Sequence, residues 1–176
     1  MASKSTALLI LDMINPFDYD DGPALARMAR SVAPAIAKVK ARIKGDGGAC
    51  VYINDNFGFW QSDFRELVVR AKAGVGAEMA DILQPDSDDT FILKPKHSGF
   101  FQTPLSLLLG GLGCKRLIVT GVAADACVLA TAMDAHMRDF EVAAPSNCIA
   151  SVTKPRKDAA LLILRHADVE TRAMTR

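Results

Sequence analysis

The chain has 176 residues and a net charge of +1, from 21 basic and 20 acidic side chains. That length suits one domain, and the even charge leaves no basic excess of the kind that marks nucleic-acid binders. Half of the residues are hydrophobic and 23% are charged; this excludes a disordered chain, and no apolar run reaches the roughly 18 residues of a membrane span.

Ala7–Leu11 is an unbroken apolar run ending at Asp12, the pattern of a strand buried on both faces of a parallel sheet. From Leu25 to about Lys44, Met28, Val32, Ile36, Val39 and Ile43 fall on one helical face, and glycines at 45, 47 and 48 end it. Cys50–Ile53 is the second strand. A helical pattern runs from Ser62 to about Leu83, interrupted at Gly74 and Gly76, and Asp88–Leu93 is the third strand, ending at Lys94. Leu105–Leu109 is a short helix stopped by Gly110 and Gly111. The fourth strand is Arg116–Thr120, followed by Gly121 and a helix from about Ala126 to Arg138. Phe140–Ala143 is the fifth strand, Lys157–His166 the last helix, and Val169–Thr171 a short sixth strand. Strands alternating with helices predict an α/β domain with an open, doubly wound (Rossmann-like) parallel sheet of about six strands, covered on both faces as a three-layer sandwich.

Ligands of such sheets bind outside the carboxyl ends of the strands, near the point where strand order reverses. Asp12, the loop Asn54–Trp60, Lys94 and the segment Gly121–Cys127 occupy those ends. Cys127 falls in the first turn after a strand, where helix N–H groups favour a thiolate and can serve an oxyanion. The plainer reading is a small buried residue, since free cysteine is among the most buried types. A thiolate needs a base or cation nearby, and Asp12 and Lys94 qualify; alternatively they are a turn cap and a solvated lysine. His97, three residues past Lys94, is the histidine that could pair with the thiol. His136 and His166 are read as surface or packing residues.

Cys50, Cys114 and Cys148 are read as structural. The four cysteines form no CxxC and have no paired histidine, so neither a disulfide framework nor a zinc site is expected. The first six residues lead straight into a strand without an apolar leader, so a cytoplasmic protein is expected. Three phenylalanines and the single tryptophan fall in the loop Phe57–Arg65. They suit either a pocket wall or packing against a helix or a second subunit.

Four segments together resemble the isochorismatase-like cysteine hydrolases, a superfamily that includes nicotinamidases and carbamoylsarcosine amidase. They are Leu9-Ile10-Leu11-Asp12-Met13-Ile14-Asn15-Pro16-Phe17, Tyr52-Ile53-Asn54-Asp55-Asn56, Lys94-Pro95-Lys96-His97-Ser98-Gly99-Phe100, and Gly121-Val122-Ala123-Ala124-Asp125-Ala126-Cys127-Val128 with Pro145-Ser146-Asn147-Cys148 beyond it. The resemblance spans almost the whole chain and implies one hydrolase domain over residues 1–176 with strand order 3-2-1-4-5-6.

It further implies a triad. Cys127 would be the nucleophile, Asp12 the general base and then acid, and Lys94 the holder of the anionic charges. Lys94 is preferred to Lys96 because it lies four residues before Ser98, as in the family pattern. A cis peptide between Val122 and Ala123 would turn the Ala123 N–H toward the oxyanion, beside the Cys127 N–H. Phe17, Asn56, Phe57, Trp60, Phe100 and Val122 would form the substrate pocket.

The chain departs from the nicotinamidase pattern. Asp55-Asn56-Phe57 stands where those enzymes carry Asp-x-His, and no histidine lies between Asp55 and Lys94. No metal and no cofactor are therefore expected. Ala124 and Asn147 replace more usual polar and acidic residues, which bears on substrate identity. The expected reaction is C–N bond cleavage in a small amide or ureide through a Cys127 thioester, by a homodimer or homotetramer with no nucleic-acid or membrane partner. The alternatives are vinyl-ether cleavage of isochorismate and a non-catalytic binding role.

Overall fold

The computed structural model describes residues 6–58 and 63–174. Six parallel strands form one sheet. They are β1 (Thr6–Leu11), β2 (Ala49–Asp55), β3 (Thr90–Lys94), β4 (Arg116–Val122), β5 (Glu141–Ala143) and β6 (Ile149–Ala150). Their order is β3-β2-β1-β4-β5, with β6 paired to the end of β4. The order 3-2-1-4-5 is thus as expected. The sixth strand differs: Glu170, in the segment expected to supply it, makes a single bridge to Ala143. Ile149–Ala150 pairs instead with Gly121 and Val122, where β5 has already ended and left that edge of β4 open.

Alternation along the buried strands divides the core in two. Leu8, Ile10, Tyr52 and Ile118 face one layer, built from α1 (Gly22–Gly45), α2 (Phe64–Lys72) and α3 (Ala77–Ile82). Leu9, Leu11, Val51, Ile53 and Val119 face the other, built from α4 (Leu105–Leu112), α5 (Leu129–His136) and α6 (Lys154–His166). Each fully buried aliphatic side chain contributes about 1.5–3 kcal/mol. Both faces need helices because both faces are apolar.

The sequence explains several element ends. The expected helix over 62–83 is two helices, parted at Gly74 and Gly76 as its interruption suggested. A side chain at Gly76 would place its Cβ 1.9 Å from the Asn15 carbonyl oxygen, so only glycine lets this junction close on the loop after β1. Asp63 caps α2 by accepting from the Arg65 N–H at 2.9 Å, and Thr153 caps α6 through the Arg156 N–H. At the α1 end, Lys40 and Lys44 bind Asp86, Asp88 and Asp89 ahead of β3. That acidic trio has its charge answered by two ammonium groups.

Candidate active site

Strand register assembles the site. Leu11 lies opposite both Ile53 and Gly121, and Asp55 lies opposite Lys94. The residues that end or follow β3, β2, β1 and β4 therefore stand side by side at the carboxyl edge of the sheet. The chain leaves β1 by a left-handed turn at Asp12, φ 51°, held by the Asp12 N–H donating to the Ile53 carbonyl at 2.9 Å. The Asn54 amide nitrogen donates to the Ile14 carbonyl at 2.7 Å and fixes the turn from the neighbouring strand.

On the β4 side, Gly121 has φ 106°, and a Cβ there would meet the Leu11 carbonyl oxygen at 2.1 Å. The Val122–Ala123 peptide is cis. Ala124–Val128 then forms a π-helical turn leading into α5. The Ala126 and Val128 N–H groups both converge on the Ala123 carbonyl at 3.1 Å, with Cys127 between them. Such wide turns recur at functional sites. The expected α-helical first turn is thus a π turn, because Val128 bonds five residues back.

The three predicted groups come together. The Lys94 ammonium lies 3.3 Å from Cys127 Sγ and 3.0 Å from Asp12 Oδ2. It has no exposed surface, and Asp12 and Cys127 are both buried. Asp12 Oδ1 accepts the Asp55 N–H at 2.7 Å, and the Asp55 carboxylate stands 3.6 Å from Lys94.

Charge and burial set the protonation of this cluster. Burial pushes the Cys127 thiol up to about 12, and neighbouring Asp12 adds to the rise while Lys94 opposes it. Cys127 at rest is therefore a thiol. Lys94 is held above its ordinary range: burial works against its charge, but the negative charges of Asp12 and Asp55 and the Asp12 hydrogen bond outweigh that. The cluster can keep an ammonium and a carboxylate beside a neutral sulfur, and it can take the charge of a thiolate as that forms.

The segment after β3 is tied to α5. Ser98 donates to Asp134 at 2.6 Å, the Gly99 N–H donates to Thr131 at 2.9 Å, and Asp134 binds Arg138. His97, just before these anchors, is exposed, and its Nδ1 lies 3.7 Å from Cys127 Sγ. Beyond the sulfur, Asp125 accepts from Ser151 and Arg156. Burial alone would raise its carboxyl, but these two bonds hold it below the ordinary range.

The predicted pocket residues divide. Phe17 and Val122 are buried in the layer of α1. Phe100 is buried in the opposite layer, against Phe140 at 6.1 Å and beneath the Arg138 guanidinium at 4.9 Å. Phe57 is part-buried against the α1 layer, and its N–H donates to Asp55. Asn56 accepts the Gly58 N–H. Trp60 lies outside the described residues.

Two nearby residues were given no role from the sequence. Tyr19 accepts from Asn15 at 3.2 Å. Burial raises its phenol, the Asn15 bond opposes this, and the negative charge of Asp12 adds to the rise. Asp55 lies in the strand-end loop and at the metal-motif position read from the sequence, and its place beside Lys94 follows from register. A hollow of about 510 Å³, lined by Tyr19, Asp20, Asp21, Ala123, Val152 and Arg156, opens beside Ala123.

The fold and this edge cluster define a doubly wound α/β protein with a buried cysteine, lysine and aspartate at its topological centre. An isochorismatase domain family model matches residues 6–174, and the chain belongs to that family. It is 36% identical to the uncharacterized isochorismatase family protein YaaI of Bacillus subtilis (strain 168), covering 94% of this chain and 92% of that relative. It is 28% identical to the ureidoacrylate amidohydrolase RutB of Enterobacter sp. (strain 638), covering 79% of this chain and 72% of RutB. Among solved structures, an isochorismatase family protein from Desulfovibrio vulgaris subsp. vulgaris str. Hildenborough superposes with a TM-score of 0.79 at 25% identity, over 96% of this chain and 94% of that one.

Proposed function

We propose that this chain is a cysteine hydrolase that cleaves a C–N bond of a small amide or ureide. The observation that carries the reading is the Lys94 ammonium, set between Cys127 Sγ at 3.3 Å and Asp12 Oδ2 at 3.0 Å. The similarity to a relative named as a ureidoacrylate amidohydrolase supports the substrate class.

Because the resting sulfur is a thiol, the nucleophile forms during the reaction. Asp12 takes the thiol proton as sulfur attacks the carbonyl carbon, and Lys94 holds the charge on both partners. The oxyanion rests on the Ala123 and Cys127 N–H groups. Asp12 returns the proton to the nitrogen as the C–N bond breaks, which leaves a thioester. Water then cleaves the C–S bond, the acid departs, and the thiol is restored.

The test is a panel of small amides, ureides and isochorismate, with ammonia and pyruvate read together for the wild type and Cys127→Ala. Ammonia release that Cys127→Ala abolishes is the expected result. Pyruvate without ammonia would replace the amidase reading with vinyl-ether cleavage, and full activity in Cys127→Ala would end the thioester mechanism.

A further inference from the structure

Lys94 and Asp12 approach Cys127 from inside the protein, and both are spoken for. Asp12 accepts the Lys94 ammonium on one oxygen and the Asp55 N–H on the other. Lys94 has no acceptor capacity while charged. Neither has the exposure needed to exchange protons readily with solvent. His97 differs on both counts. It is exposed, and its Nδ1 faces the same sulfur at 3.7 Å. Its position is not that of a free loop side chain, because Ser98 and Gly99 directly after it are pinned to Asp134 and Thr131 of α5.

We propose that His97 is a further catalytic residue, a proton acceptor and donor on the solvent side of Cys127 that works beside Asp12. As sulfur bonds to an electrophilic carbon, the thiol proton passes to Nδ1 and leaves an imidazolium. In hydrolysis the imidazolium gives that proton to the departing nitrogen as the C–N bond breaks, and the ring is neutral again. The sulfur is thus served by two routes, a buried one through Asp12 and an open one through the imidazole. The other charged and titratable groups around the pair are Lys94 and Asp55 on the sheet and Asp12 just past β1, and Tyr19 on the loop after β1. Lys96 is its chain neighbour, and Asp134 and Arg138 lie behind Ser98. None of these is a neutral imidazole, the side chain that changes charge between about pH 5 and 8.

The inference rests on the cysteine-hydrolase reading, and its test needs no substrate. Cys127 in the whole protein is alkylated with iodoacetamide across that pH range, and peptide mapping separates it from Cys50, Cys114 and Cys148. In this reaction the S–C bond forms, iodide leaves and the thiol proton goes to the base. The expected wild-type profile carries a rise that depends on the imidazole. His97→Ala should lose that rise and react at least about tenfold more slowly near pH 7.5, as expected when a general base is removed. Free imidazole should restore part of the rate, and His97→Gln should behave as His97→Ala does. A profile unchanged by either substitution, or a Cys127 that resists alkylation throughout, overturns the assignment. If Cys127→Ala and Asp12→Asn lose hydrolysis while His97→Ala leaves the profile intact, the hydrolase reading stands and this inference falls. If Cys127→Ala keeps hydrolysis, the cysteine-hydrolase reading fails, and the alkylation profile still decides the role of His97.

Discussion

Lys94 is a lysine with no exposed surface, and it stays charged because the carboxylates of Asp12 and Asp55 lie beside it. Removing one member of a buried ion pair strands the other, at a cost of about 3–5 kcal/mol. Lys94→Met should therefore lower the urea midpoint strongly. Adding Asp12→Asn to it should recover much of the loss, since the stranded charge goes with it. If the double variant is no more stable than the single one, the pair is not what holds this region. Three of the residues gathered here were readable from the sequence, because Asp12, Lys94 and Cys127 each follow the end of an apolar strand. Asp55 was not, since only register shows that it faces Lys94. Tyr19 sits in a loop without periodicity and gave no signal. His97 was visible as a possible partner of the thiol, but no pattern in the chain says how near a loop side chain comes to a sulfur 30 residues away.

At the scale of elements, the passage from β4 into the π turn depends on Gly121. Its φ of 106° suits glycine, and the Leu11 carbonyl occupies the space a methyl group would take. Gly121→Ala should destabilise by about 1–3 kcal/mol through backbone strain alone, with more from the displaced strand. The same substitution should slow ammonia release more than it changes the far-UV circular dichroism spectrum, because it moves the turn that carries Cys127. Normal turnover in that variant would show that the turn tolerates displacement. The α2–α3 break was legible through Gly74 and Gly76. The π turn was not: its sequence, Ala-Asp-Ala-Cys-Val, suits an ordinary helix, and the sheet edge and α6 packed around it decide otherwise. The two-residue β6 was also beyond reach, since so short a run has no periodicity to read.

Across the whole molecule, burial protonates more thiols than catalysis calls for. It lifts Cys50 and Cys127 to about 12 and Cys148 to about 11. Above about pH 9 an unfolded chain sheds these protons while the folded one keeps them. The native state then binds more protons, and stability falls as pH rises. The contribution is intact below about pH 9 and is lost between there and about pH 12, at up to about 1.4 kcal/mol per thiol per pH unit. Urea midpoints measured from about pH 8 to about pH 10.5 should decline, and Cys148→Ser should make the decline shallower. An identical slope in that variant would place the alkaline sensitivity elsewhere.

The sheet's central strand is also its earliest. β1 is flanked by β2 within about fifty residues, but its other edge pairs with β4, whose first residue is Arg116. On a ribosome adding about 5–20 residues per second, the open side of Thr6–Leu11 must wait until Arg116–Val122 has been made. During that interval the edge of a strand whose run Ala7–Leu11 is apolar offers itself to any neighbouring chain. That exposure ends only when Arg116–Val122 emerges to pair with it.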